Sequence, residues 1–174
     1  RRYQPYGLLR DLLFWQLGVR DSASQAEAQK TFAAALRPVF GDAADEQTAL
    51  LGQLIGLDYS ASPHIAGILR DGKQLQGRGL NAWVRCLQLQ AAAQPLVLVL
   101  DDLQWADDES LDALDHLVAA APDEMKAALV KDAAFPKRMG KPDEYARLAC
   151  AIIENPMLNG GTIRLDAGQR FAPR

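Results

Sequence analysis

The run Pro95-Leu-Val-Leu-Val-Leu-Asp-Asp-Leu-Gln-Trp-Ala-Asp107 constrains this chain more than any other stretch of its 174 residues. Leu96–Leu100 is apolar at every position, so it does not suit a strand with one wet face. Such a strand belongs in the middle of a parallel sheet with helices above and below. The chain leaves it with Asp101 and Asp102 at the carboxyl end, and in α/β sheets that end is where ligands bind. The expectation is an α/β fold whose chemistry lies at this acid pair.

Most of the remaining pattern is helical. Leu8, Leu9, Leu12, Leu13 and Trp15 recur at helical spacing over residues 5–17, and Gly18 stops them. Ser24-Gln-Ala-Glu27 is a capping box for a helix carrying Ala28, Phe32, Ala35 and Leu36, closed by Pro38 and Gly41. Asp42 is placed to cap the next helix, with Leu50, Leu51, Leu54 and Ile55 on its apolar face and an end near Gly56. Ser62-Pro63 predicts a short helix ending at Asp71-Gly72, and Trp83, Val84, Leu87 and Ala91 predict a helix over 80–93. Gly77-Arg-Gly79 reads as the loop between them, since neither a preceding strand nor a third glycine supports a phosphate loop.

Downstream of the acid pair, Asp107 caps an amphipathic helix over 108–120 that Pro122 breaks. A short helix over 123–132 follows. Gly140-Lys-Pro142 then opens a helix over 142–154 with Tyr145, Leu148, Ala149, Ile152 and Ile153 on its inward face. Asn159-Gly160-Gly161 turns into a second strand, 162–165. Helices far outnumber strands, so the fold class expected is α/β but helix-rich: a partial three-layer arrangement with a minimal parallel sheet.

Composition narrows the function classes. Apolar residues make up 49% and charged residues 24%, with a net charge of −3, which gives no general attraction to nucleic acid or to anionic membranes. No apolar run approaches the ~20 residues a membrane span needs, and no signal peptide is visible. Cys86 and Cys150 lack metal-ligand spacing and read as buried thiols, so a reducing, cytoplasmic setting is expected. His64 and His116 stand alone, and Trp15, Trp83 and Trp105 read as core anchors. The chain begins at Arg1-Arg2, in mid-pattern, as a fragment does.

Two family resemblances divide the chain near Pro122. Asp101-Asp-Leu-Gln-Trp-Ala-Asp107, with Pro5-Tyr6-Gly7 far upstream, resembles the Walker B segment of the large P-loop regulatory ATPases that accompany bacterial adenylate cyclases and LuxR-type regulators. Gln104 stands where histidine is usual. The likeness covers residues 1–121 and implies magnesium and ATP as ligands. Asp101 would be the metal-side acid, and Asp102 the catalytic acid that orients the attacking water. Nowhere does the chain carry Gly-x-x-x-x-Gly-Lys-[Ser/Thr], the loop that grips the phosphates; in the family it precedes the point where this sequence starts.

Residues 122–174 resemble the carboxyl terminus of short-chain dehydrogenases of the hydroxyacyl-CoA type. The likeness rests on Arg138-Met-Gly-Lys-Pro-Asp-Glu144 and Asn159-Gly-Gly-Thr-Ile-Arg-Leu-Asp166, with Ala167 replacing a glycine. It implies NAD as cofactor and a role for the last helix and strand at a subunit interface. The dinucleotide fingerprint and the Tyr-x-x-x-Lys pair are absent: Ala149 lies four residues after Tyr145. The chain is thus expected to join pieces of P-loop and Rossmann-like folds. Its leading function is a remnant of a nucleotide-binding regulatory ATPase with little or no catalysis of its own. The alternatives are a fragment of an NAD-dependent short-chain dehydrogenase acting as an oligomerisation element, and a non-enzymatic interaction module. A homo-oligomer is expected, because an apolar strand edge left unpaired recruits a partner.

Overall fold

Ser24 accepts from the Glu27 amide while the Glu27 carboxylate accepts from the Ser24 amide, so the second helix starts where its capping box says. The computed structural model describes residues 5–100, 105–158, 161 and 163–168. The chain forms two compact units, Arg1–Ala120 and Ala121–Arg174.

The first unit is a packed set of helices: α1 (Gly7–Leu17), α2 (Gln25–Phe40), a 3₁₀ turn (Gly41–Ala43), α3 (Ala44–Leu54), α4 (Gly72–Ala93) and α5 (Asp108–Ala119). Helix α3 packs against both α2 and α4, and α5 lies against α1 and α4. The apolar stripe of α2 repeats every four residues, Ala28, Phe32, Leu36 and Phe40, and all four are buried. With Phe32 the buried core includes Leu13, Leu36, Leu51, Ile55, Leu57, Ile65, Trp83 and Cys86. Gly18 ends α1 in the left-handed conformation (φ 69°), the geometry that made it a stop signal.

Several sequence expectations are corrected here. Pro38 lies inside α2 rather than closing it, and the helix runs on to Phe40. A proline deprives only the carbonyl four residues back of its partner, and that residue, Ala34, is exposed to water. Asp42 caps nothing; it sits in the 3₁₀ turn, and α3 begins after Ala43 with no side-chain cap. Residues 60–70 form a series of turns instead of a helix, burying Ile65 and Ile68. Asp71 does not end a helix but opens α4, accepting from the Gln74 amide. The Gly77-Arg-Gly79 stretch is therefore helical. Gly79 is buried where α4 crosses α3: a methyl group added there would stand 3.0 Å from Leu54 Cβ and 3.2 Å from the Leu50 carbonyl oxygen. Close helix approach outweighs glycine's poor helix propensity.

Among the described residues no β-strand forms. Leu96–Leu100 has no ladder partner, and Val97 and Val99 are each 81% exposed. A strand exists only with a neighbour to exchange backbone hydrogen bonds, and the described residues supply none. Trp83 is a core anchor at 1% exposure, but Trp15 and Trp105 are each 84% exposed. Cys86 is buried as expected and Cys150 is exposed.

The second unit contains α6 (Asp123–Leu129) and α7 (Pro142–Glu154). Helix α7 begins at the proline that predicted it. Glu144 accepts from the Lys141 amide at 2.8 Å and takes a two-pronged ion pair from Arg138 at 2.6 and 2.9 Å. The amides of Ala134 and Phe135 both bond the Ala167 carbonyl, bringing the tail against the stretch before α7. The predicted second strand is absent: Ile163 and Leu165 are exposed, and Thr162 lies outside the described residues. The apolar face of α7 is only partly covered, with Tyr145 and Ile153 exposed.

Candidate functional site

Asp101 and Asp102, the metal and catalytic acids expected from the sequence, lie outside the described residues. Their described neighbours are Leu100, half-buried, and Trp105, whose exposed indole stands free of the core. Two residues beyond Trp105 the chain is fastened.

Asp107 does more than cap α5. Its Oδ1 accepts from the Ser110 amide (2.9 Å) and from the Tyr6 amide (2.8 Å); its Oδ2 accepts from the Ser110 hydroxyl (2.7 Å) and the Leu8 amide (3.4 Å). One carboxylate thus serves the N-termini of two helices that start a hundred residues apart in sequence. Ser110, 1% exposed, completes the joint, its hydroxyl oxygen accepting from the Leu8 and Leu9 amides at 3.2 and 3.5 Å. Burial pushes the Asp107 carboxyl up, but the Ser110 hydroxyl and amide and the amides of Tyr6 and Leu8 outweigh it and hold the group below its ordinary value.

The α1 side of the joint is shaped to fit. Tyr6 adopts the left-handed conformation (φ 60°), and its ring is buried. Burial raises the Tyr6 phenol; a hydrogen bond with Gln76 opposes this, and the charges of Glu109, Asp112 and Asp107 add to it. A methyl group on Gly7 would stand 3.3 Å from Asp107 Oδ2, a tight approach. The sequence reading found the α5 cap and missed the α1 cap. A signal was present: α1 has no Ser, Thr, Asp or Asn before it, so its orphan amides needed an acceptor from elsewhere.

The surrounding charge is one-sided. No Lys or Arg occurs between Arg85 and Lys126, whereas α5 and its cap carry Asp107, Asp108, Glu109, Asp112 and Asp115. Among the described residues no group of three or more His, Cys, Asp or Glu side chains is placed to hold a metal ion. His116 bonds the Asn81 side chain at 2.9 Å, a bridge between α5 and α4, and His64 is exposed. Tyr145 sits on an exposed face of α7. Among the described residues no helix is long and apolar enough to cross a membrane.

The family model described as the AAA ATPase domain matches residues 6–130. The chain belongs to the AAA ATPase domain family. The matched stretch of this AAA ATPase-domain chain begins at Tyr6 and includes the acid pair, Asp107 and Ser110, so both sides of the two-helix joint fall within it. Over 57 residues, a third of the chain, it is also similar to 3-hydroxyacyl-CoA dehydrogenase type-2: 47% identical to the Drosophila melanogaster and Homo sapiens proteins and 46% to that of Rattus norvegicus. In each case the match covers 22% of that protein, so the chain spans about a fifth of the length of these curated relatives. No solved structure matches. The resemblances read from the sequence, to an ATPase and to a hydroxyacyl-CoA dehydrogenase, are both found.

Proposed function

We propose that this chain is the acid-pair part of a regulatory nucleotide-binding ATPase module, with little or no hydrolysis by itself. The AAA ATPase domain match over residues 6–130 carries the reading. Magnesium, where bound, supplies charge neutralisation at the phosphates. The hard carboxylate oxygens of Asp101 and Asp102 suit that ion, Asp101 as its ligand and Asp102 toward water. The phosphate grip is what the chain lacks: the sequence has no glycine-rich Lys-Ser/Thr loop, and the stretch around the acids has no cation. Carboxylates without such a grip repel a triphosphate. In a calorimetric titration with magnesium and ATP, no binding is expected below about 1 mM; micromolar affinity would overturn the reading. If binding occurs, Asp101→Asn should weaken its metal dependence more than Asp102→Asn.

On this reading residues 1–121 form the ATPase-like segment and 122–174 the dehydrogenase-like one. Leu96–Leu100 becomes a central strand of a parallel sheet only where neighbours flank both its edges, which its apolar character on both sides supports. The free thiols of Cys86 and Cys150 suit a reducing, cytoplasmic setting. The exposed valines of the 96–100 run support self-association into a homo-oligomer.

A second reading, a fragment of an NAD-dependent dehydrogenase, is favoured by the 47% identity over 57 residues. Turnover needs a bound nicotinamide and a proton donor. NAD-dependent oxidation of a 3-hydroxyacyl-CoA by the purified chain, abolished by Tyr145→Phe, would decide for it.

A further inference from the structure

We infer that the groove between the end of α1 and the outer side of α2 is a docking site for α5 of a second copy of this chain. The inference rests on the homo-oligomer reading above and names the surfaces that meet.

The groove encloses about 610 Å³. Leu17, Ala34 and Ala35 supply its apolar lining, and Arg20 and Lys30 stand exposed beside them. Among the described residues neither cation forms an ion pair. Glu27 also borders the groove, but its carboxylate is engaged by the Ser24 amide and hydroxyl. A groove of this kind suits a helix with an apolar stripe and carboxylates next to it.

Helix α5 presents that combination. Its inner face is occupied: Ser110 and Ala113 are buried, and Leu114 and Leu117 pack on the core. On its outer face Leu111, Asp115 and Val118, at i, i+4 and i+7, form one exposed stripe, with Asp108 and Asp112 alongside. Among the described residues neither Asp112 nor Asp115 forms an ion pair. Within one chain α5 packs on α1 and α4 and does not touch α2, so its outer face and the groove are both left for a second copy. Leu111 and Val118 would fill the space that the α2 alanines leave. Asp112 and Asp115 would then face Arg20 and Lys30. Exposed ion pairs alone contribute little, but these flank an apolar contact that excludes water.

The test is a charge exchange between whole chains, followed by light scattering. Arg20→Glu/Lys30→Glu sets like charges in the contact from the groove side, and Asp112→Lys/Asp115→Lys does so from the α5 side. Each variant alone should associate at least about tenfold more weakly than the wild type. Mixed in equal amounts, the two should associate as the wild type does, because opposite charges meet whichever chain supplies the helix. Ala34→Gln fills the groove with a good helix former and changes no charge. It should weaken association by about tenfold as well, and it serves if a charge variant loses its helical signal. A wild type that stays monomeric at high micromolar concentration overturns the homo-oligomer reading and the inference with it. If the wild type associates and the charge variants, or Ala34→Gln in their place, associate equally well, the inference alone is overturned and the 96–100 run is left as the contact. Charge variants that dissociate yet fail to associate when mixed overturn it too.

Discussion

A carboxylate that accepts four hydrogen bonds is replaceable only by a group with the same two oxygens. Asp107→Ala removes caps from α1 and α5 together and should destabilise the fold by about 1–4 kcal/mol, twice the usual loss for one N-cap. Urea unfolding of the two proteins measures it. The pH dependence has a definite sign. Because the folded Asp107 carboxyl lies below its ordinary value, its contribution is fully present above about pH 4 and is lost as pH falls through the folded value. Asp107→Asn should therefore flatten the acid limb of the stability curve. Glu144 behaves likewise in the second unit. The Arg138 guanidinium, helped by the Lys141 amide, holds it down at about 2, so its contribution is fully present above the ordinary glutamate range and is lost progressively as pH falls toward about 2. Arg138→Gln should move the Glu144 carboxyl titration, followed by NMR, back up toward the usual value.

Three glycines give opposite expectations at the scale of helices, because what surrounds each differs. A methyl group at Gly77 meets nothing within 4 Å, so Gly77→Ala should stabilise α4 by up to about 1 kcal/mol through helix propensity. At Gly79 the same change meets the Leu50 carbonyl and Leu54, and overpacking of about 1–3 kcal/mol should exceed that gain. At Gly52 a methyl group would overlap the Tyr59 ring at 2.3 Å. The ring, whose phenol burial pushes up to about 12, would have to leave its place, and its hydrogen bond to the Gln29 carbonyl would go with it. Thermal melts should rank the variants Gly77→Ala, wild type, Gly79→Ala, Gly52→Ala in falling order. The strand over 96–100 does not form among the described residues, since an apolar run favours burial without naming the partner that provides it.

For the whole molecule the prediction is association. Val97, Val99, Ile153 and Met157 are each more than 80% exposed, an unusual amount of large apolar surface for a chain standing alone. Light scattering at high micromolar concentration should report a species heavier than one chain. A stable monomer there would refute the homo-oligomer. The double variant Val97→Lys/Val99→Lys should lower the association while leaving the helical signal intact, since neither side chain is in the core.

The sequence by itself determined the features set by neighbours along the chain. These are the Ser24 capping box, the Gly18 stop, the start of α7 at Pro142 and the Asp107 cap of α5, each a bond between residues a few positions apart. It also carried both family likenesses, because motifs are strings of residue types and survive without a described fold. Only the tertiary structure decided which of three tryptophans is buried, that Gly79 belongs inside a helix, and that α1 takes its cap from residue 107. Periodicity marks an apolar face without naming what covers it, and a propensity of about 1 kcal/mol yields to packing worth more. A cap borrowed across a hundred residues has no local pattern, since the acceptor and the amides it serves meet only after the helices have packed.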